Sequence, residues 1–264
     1  TQIDFLEQSI NTYKKPNYEI TIAVCGKYNS LHDAYKSILE AFIHAGITND
    51  AKVKIKWIDT ELLEKNQDFT GFNNIDGILI PGGFGDRGIE GKIMSAKFAR
   101  ENSIPFFGIC LGMQCAVIEF ARNVCKMSKA NSTEFDSNTP FPVIDLMNEQ
   151  KNIIDKGATM RLGQYSCNIE QNTKSYAAYN EQKINERHRH RYEVNINYKE
   201  KLEKIGMNFA GISPDGLLPE IIEIKNHPWF IGVQFHPELK SRPFNPHPLF
   251  SSFINASIKV SKKK

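Results

Sequence analysis

The run Ile104-Pro105-Phe106-Phe107-Gly108-Ile109-Cys110-Leu111-Gly112-Met113-Gln114 decides the fold of this chain. It opens as a compact apolar stretch of strand length, Pro105 to Ile109, and turns into a helix near Leu111. Two glycines frame the cysteine as G-x-C-x-G, a pattern that forces a sharp strand-to-helix elbow and pushes the central side chain outward. A cysteine there sits at a helix N-terminus, where the positive end of the dipole favours thiolate. The backbone N–H of Leu111 points where an oxyanion forms. The competing reading is a small hydrophobe at the end of a buried strand.

Outward from this elbow the same alternation repeats. Glu19 to Gly26 is a β-branched apolar run closed by Gly, as in a buried parallel strand. Asp33 to Gly46 carries apolar residues at helical spacing and ends on Gly. Further strands are expected at Lys52–Ile58 and Ile75–Ile80, then a helix from about Ile89 to Glu101. The order β-α-β-β-α-β-α argues for a parallel sheet with helices on both faces. Beyond residue 124 Asn, Lys, Glu and Gln become frequent, over Asn148–Asp155 and Gln171–Glu186. Short strands are expected at Ala158–Gly163 and Arg191–Asn195. Stronger ones follow at Leu218–Ile224 and Phe230–Phe235, with a last helix over Pro248–Ser257. The Asn/Lys-rich stretches read as surface insertions.

Bulk properties exclude several classes. The 264 residues suit one large α/β domain or two small ones, and 41% hydrophobic content supports an ordinary core. A net charge of +3, partly from Lys262-Lys263-Lys264, is too weak for a nucleic-acid footprint. Five cysteines show no CxxC pair and no zinc spacing, which points to free thiols, a reducing compartment, no metal and a cytoplasmic location. No run of about 18 apolar residues predicts a membrane span. A chain that starts at Thr1 rather than Met is expected to be a piece of a longer protein.

In open α/β sheets ligands bind outside the carboxyl ends of the strands. Two further stretches lie at such ends. Pro81-Gly82-Gly83-Phe84-Gly85-Asp86-Arg87-Gly88 is dense in glycine. It lacks the Lys-Ser/Thr of a P-loop, so its glycines suit backbone N–H groups approaching a carbonyl oxygen better than a nucleotide. Val233-Gln234-Phe235-His236-Pro237-Glu238 places a histidine just past a strand with a carboxylate two residues on. With an elbow cysteine elsewhere, that is a base and its orienting group. Cys25, Cys115, Cys125 and Cys167 have no such context and read as structural.

These residues resemble the triad-type, class I glutamine amidotransferases, whose pattern is P-G-G, then G-[IV]-C-x-G-x-Q, then H-P-E. Within that family PGGFGDRG (81–88), ANSTEF (130–135), RHRHRYEVN (187–195) and HPWFIGVQFHPE (227–238) are similar to the glutaminase domain of the CTP synthases, as is GKYNSLHDAYKSILEAFIHAG (26–46). The likeness covers about residues 1 to 257. It implies a mostly parallel, twisted, flavodoxin-like sheet flanked by helices, with an additional small antiparallel sheet. It also implies a linker or N-terminal helix over residues 1–17, a glutaminase domain over 18–258 and a basic tail over 259–264.

The resemblance further implies roles. Cys110 attacks the side-chain amide of glutamine, His236 shuttles protons and Glu238 orients His236. Gly83 and Leu111 offer the oxyanion-hole amides. Gly83, Phe84, Leu111, Gly112, Met113, Gln114, Glu134 and Arg191 surround glutamine. The chemistry agrees for two of them, since an α-carboxylate suits the Arg191 guanidinium and an α-ammonium suits the Glu134 carboxylate. By composition alone, Arg187-His188-Arg189-His190-Arg191 is a basic run that suggests a phosphate patch. No cofactor is implied for this domain. ATP, Mg2+ and UTP would belong to a separate synthetase domain, GTP would act as an allosteric activator, and the whole enzyme would be a homotetramer with no nucleic-acid or membrane partner. The competing readings are the glutaminase subunit of another amidotransferase, a γ-glutamyl hydrolase-type peptidase, and a catalytically silent regulatory or assembly module.

Overall fold

The structure is a computed structural model and describes residues 2–27, 35–83, 85–146 and 160–262. In chain order the first half contains α1 (Gln2–Lys14), β1 (Tyr18–Gly26), α2 (Lys36–Thr48), β2 (Ala51–Asp59), α3 (Thr60–Asn66), β3 (Gly77–Ile80), α4 (Ile89–Glu101), β4 (Phe106–Ile109) and α5 (Leu111–Asn123). Then come β5 (Ala130–Ser132), β6 (Phe141–Leu146), β7 (Arg161–Ile169), α6 (Lys174–Tyr179), β8 (Lys183–His190) and β9 (Tyr192–Val194). The chain closes with α7 (Lys199–Ile205), β10 (Met207–Ile212), β11 (Pro219–Ile224), β12 (Phe230–Val233) and α8 (Pro248–Ser261).

Nine strands form one sheet in the order β2-β1-β3-β4-β12-β11-β10-β7-β8. The five from β2 to β12 run parallel, and β11, β10, β7 and β8 continue it antiparallel. Along β1, Ala23 and Cys25 enter one core while Ile20, Ile22 and Val24 enter the other. Burial on both faces is why β3, β4 and β12 read as unbroken apolar runs, whereas the edge strand β2 alternates with lysine. The first core lies under α4 and α5. The second lies under α2 and α8, where Phe42, Phe107, Phe250 and Phe253 meet at ring spacings between 5.2 and 6.4 Å.

Four features depart from the sequence expectations. A helix, α3, separates β2 from β3, and Asp59 caps it by accepting from the Glu61 and Leu62 amides at 2.9 and 3.1 Å. The stretch from Gln171 to Glu186 is not a surface insertion. It holds α6 and the first half of β8, with Ser175, Ile184 and Glu186 buried. Buried Glu223 organises it by accepting from the Lys174 and Ser175 amides at 3.0 and 2.7 Å. The small second sheet, β5-β6-β9, is mixed rather than antiparallel, because β5 runs parallel to β6. Helix α8 continues to Ser261, so Lys259 is helical rather than part of a tail. The expected strand residues 158 and 159 and the Asn/Lys-rich stretch 148–157 lie outside the described residues. Among the described residues no helix is long and apolar enough to cross a membrane, and no cluster of side chains has the makings of a metal site.

Candidate active site

The elbow is built by close packing. Cys110 caps α5 with φ 51° and ψ −105°, a left-handed backbone that a non-glycine residue holds only when its surroundings enforce it. The surroundings are tight. A Cβ on Gly112 would lie 2.1 Å from the Ile80 carbonyl oxygen, and one on Gly108 would lie 2.7 Å from the Gly112 backbone. The Cys110 amide donates to the Val233 carbonyl at 2.7 Å, which ties the nucleophile position to β12. Parallel pairing thus brings the carboxyl ends of β3, β4 and β12 together, as their order in the sheet requires.

His236 follows β12, and its own amide donates to the Arg187 carbonyl at 2.8 Å. Its Nδ1 stands 2.7 Å from Glu238 Oε1, and its Nε2 is buried without a hydrogen-bond partner. Gly82 leaves room for both side chains: a Cβ on it would lie 2.7 Å from His236 Cε1 and 3.5 Å from Cys110 Cβ. Burial works against a charged imidazole here. Interaction with Cys110 and Glu238 outweighs it, and His236 is raised to about 10. An imidazolium beside the sulfur is therefore favoured at neutral pH. Cys25 and Cys115 make the contrast. Burial pushes both thiols up to about 12, so they stay protonated and inert.

A small cavity opens at the elbow. Gly83, Cys110, Leu111 and Gln114 line one side, and Glu134, His190, Arg191 and Tyr192 line the other. Arg191 stands at the joint between β8 and β9, and its buried Nε has no partner. Glu134 follows β5, and burial raises its carboxyl despite a hydrogen bond from the Gly85 amide and the charge of Arg191. A cation and a carboxylate thus face one hollow beside a thiol, a donor–acceptor pair matched to the ends of a free amino acid.

Of the expected ligand residues, the structure brings Gly83, Leu111, Gln114, Glu134 and Arg191 to the cavity. Gln114 Nε2 donates to the Tyr192 carbonyl at 2.9 Å and to Gln234 Oε1 at 3.2 Å, which leaves its Oε1 for a ligand. Two of the expected residues, Gly112 and Met113, are not among those that line the cavity. Met113 is fully buried in the core under α4 and α5, and Gly112 packs on β3, because the helical turn after Cys110 faces the sheet. Phe84 lies outside the described residues. His190 and Tyr192 line the cavity without having been read as site residues. Strand alternation in β8, with every second residue buried, was the signal for His190. Gln234 was missed as well: its Nε2 donates to Cys110 Sγ at 3.7 Å.

Comparison with known proteins places this geometry. The family model for class-I glutamine amidotransferases matches residues 30–256. The chain belongs to the class-I glutamine amidotransferase family. Its likeness to the solved glutaminase domain of Trypanosoma brucei CTPS, with bound acivicin, has a TM-score of 0.84 at 39% identity and covers 91% of this chain and 94% of that one. A CTP synthase of Syntrophus aciditrophicus is 55% identical over 258 residues, 98% of this chain and 48% of the relative. One of Chloroherpeton thalassium is 60% identical over 237 residues, 89% of this chain and 42% of the relative. The chain thus spans about half the length of the curated relatives it matches. At 10% identity and a TM-score of 0.51, a glutamine amidotransferase of Thermotoga maritima shares the fold. Within the class-I family the amidotransferase reading stands, on the CTP synthase branch.

Proposed function

We propose that this chain is the glutamine-hydrolysing half of a CTP synthase and that Cys110, His236 and Glu238 are its catalytic residues. One observation carries the reading: an elbow cysteine shares a small cavity with a carboxylate and an arginine whose buried Nε is without a partner, and a histidine–carboxylate pair stands at 2.7 Å just past β12. Glutamine enters with its α-carboxylate on Arg191 and its α-ammonium on Glu134. The Cys110 thiolate attacks the side-chain carbonyl carbon. The oxygen takes the negative charge and meets the Gly83 and Leu111 amides, donors whose loss typically costs about 2.7–4 kcal/mol of barrier lowering in such sites. His236 protonates the departing nitrogen, ammonia leaves, and a γ-glutamyl thioester remains. A water then attacks the thioester, giving its proton to His236, and glutamate departs with the sulfur again a thiolate. Glutamine and water become glutamate and ammonia, with no cofactor in this half.

In the full-length protein the ammonia would pass to a synthetase domain of the same polypeptide, which uses ATP, Mg2+ and UTP to make CTP. GTP would activate the glutaminase half, a homotetramer would be the working form, and the cytoplasm its location. Length supports this placement, since the matched CTP synthases are about twice as long. The test is ammonia release from glutamine by full-length protein, wild type and Cys110→Ala, together with acivicin labelling. Stoichiometric labelling of Cys110 and loss of ammonia release in the variant are expected. Labelling at another cysteine, or undiminished release by Cys110→Ala, overturns the assignment.

A further inference from the structure

Behind the cavity lies a buried polar cluster that the reaction above does not use. Arg161 on β7 reaches Glu220 of β11 at 2.6 Å and Glu193 of β9 at 3.5 Å. His188 and His190 of β8 touch through Nδ1 and Nε2 at 2.9 Å. His188 Nδ1 is 3.7 Å from Glu220 Oε2, and His190 Nδ1 is 3.7 Å from Glu193 Oε1. All five side chains are buried, and His190 also lines the cavity. Both Glu193 oxygens and His190 Nδ1 are without a hydrogen-bond partner.

The charges decide which group holds a proton. One guanidinium balances one carboxylate, and Glu220 has the shorter contact. Burial keeps both imidazoles neutral, His188 down to about 3 and His190 well below the usual histidine range. A second buried anion would stand uncompensated, at a cost of several kcal/mol. Glu193 Oε1 and His190 Nδ1 face each other at 3.7 Å, outside hydrogen-bond range, so neither compensates a charge on the other. We propose that Glu193 is a positioning residue that acts as a neutral acid. Its neutral carboxyl packs 3.7 Å from His190 Nδ1 and leaves no buried negative charge beside the imidazole at the cavity wall and the Arg191 guanidinium that follows it. His190 Nε2 and His188 Nδ1 share one hydrogen at 2.9 Å. Consistent with this, burial and the Glu220 charge raise Glu193 to about 8. Glu220 ionises first, because Arg161 opposes its burial and leaves its carboxyl at about 7.

A pH dependence follows. The groups facing Glu193 are Arg161 from β7, His188 and His190 from β8, Glu220 from β11, Asp215 before β11 and Asp145, its cross-strand partner on β6. Between about pH 7 and pH 8 the Arg161, Glu220, Glu193 and histidine set is neutral. Above that window, the set carries a buried negative charge next to the cavity that must accept a carboxylate. Glutamine binding weakens as pH rises through about 8.

This inference rests on the glutamine reading, and a binding measurement separates the two. Full-length Cys110→Ala and Cys110→Ala/Glu193→Gln proteins are titrated with glutamine by calorimetry from about pH 7 to about pH 9.5, a range that spans the Glu193 transition. Deprotonation of glutamine's own ammonium affects both proteins alike. The expected result is a further weakening of about 5- to 10-fold in the Cys110→Ala protein, the size of one nearby buried charge, that the double variant lacks. Equal pH profiles overturn the role of Glu193. No glutamine binding by Cys110→Ala at any pH overturns the glutamine reading instead. Should the double variant not fold, carboxyl NMR of wild type labelled with 13C-glutamate gives the answer. One buried carboxyl titrating near about 8 is expected. A spectrum in which every glutamate titrates in the ordinary range, about 4.3, overturns the proposal.

Discussion

The parallel and antiparallel portions of the structure build the site by different means. In the parallel half, backbone contacts set the reacting atoms. Gly112 packs against the Ile80 carbonyl, Gly108 packs against Gly112, and the Cys110 amide is bonded to β12. In the antiparallel extension and the second sheet, side chains do the holding. Arg191 sits at the β8–β9 joint, Glu134 follows β5, and His190 is backed by a buried ionisable cluster. The difference separates two properties. The first region governs whether bonds break, and the second governs how tightly a ligand is held.

The sharpest way to break that comparison is Cys110→Ala. Ammonia release is expected to fall by about 10⁴-fold or more, while glutamine binding survives in calorimetry. Next, Gly112→Ala should cost about 3–4 kcal/mol of stability in urea unfolding, as severe overpacking against backbone does, because the new Cβ meets the rigid Ile80 carbonyl rather than a movable side chain. A stable and fully active variant would show that the elbow yields. Arg191→Ala should raise KM for glutamine by about 100-fold with kcat changed far less, the loss expected when one charge-assisted contact to a carboxylate goes. A fall in kcat with KM unchanged would move Arg191 into the reacting group. The smallest effect is Asp59→Ala, which removes the α3 cap. It should lower stability by about 1 kcal/mol and leave KM and kcat unaltered, which checks that the parallel half tolerates change away from its elbow.

Legibility followed the same division. Strands β3, β4 and β12 are buried on both faces and apolar throughout, so they stand out as runs, and β1 and β11 are legible from their apolar stretches despite Glu19, Glu220 and Glu223. The boundaries of α4 coincide with the expected Ile89–Glu101. Strand β8 is different. It reads Lys-Ile-Asn-Glu-Arg-His-Arg-His, one face exposed and the other buried against polar partners, so composition suggested a basic surface run. Helix α6 was hidden for a related reason: its start is organised by the Glu223 carboxylate, 49 residues away in sequence from the Lys174 amide it binds. At the site, motifs spaced around glycine and proline marked Cys110, Gly83, His236 and Glu238. Tyr192 and Gln234, which reach the site only through sheet order, carried no local mark, and His190 was marked only by the alternation of β8.

The sequence by itself determined the elbow, the parallel strands beside it and the candidate nucleophile, because each depends on neighbours within a few residues: apolar runs, two glycines at fixed offsets, a carboxylate two positions from a histidine. Tertiary structure decided what stands opposite that nucleophile. Cys110 meets His236 only because β4 pairs with β12, and the cavity gains Arg191 and His190 only because β8 ends beside it. It also decided which buried groups are charged. A guanidinium, two carboxylates and two imidazoles from four strands share one dry space, and how many protons they hold is a property of the set rather than of any residue in it.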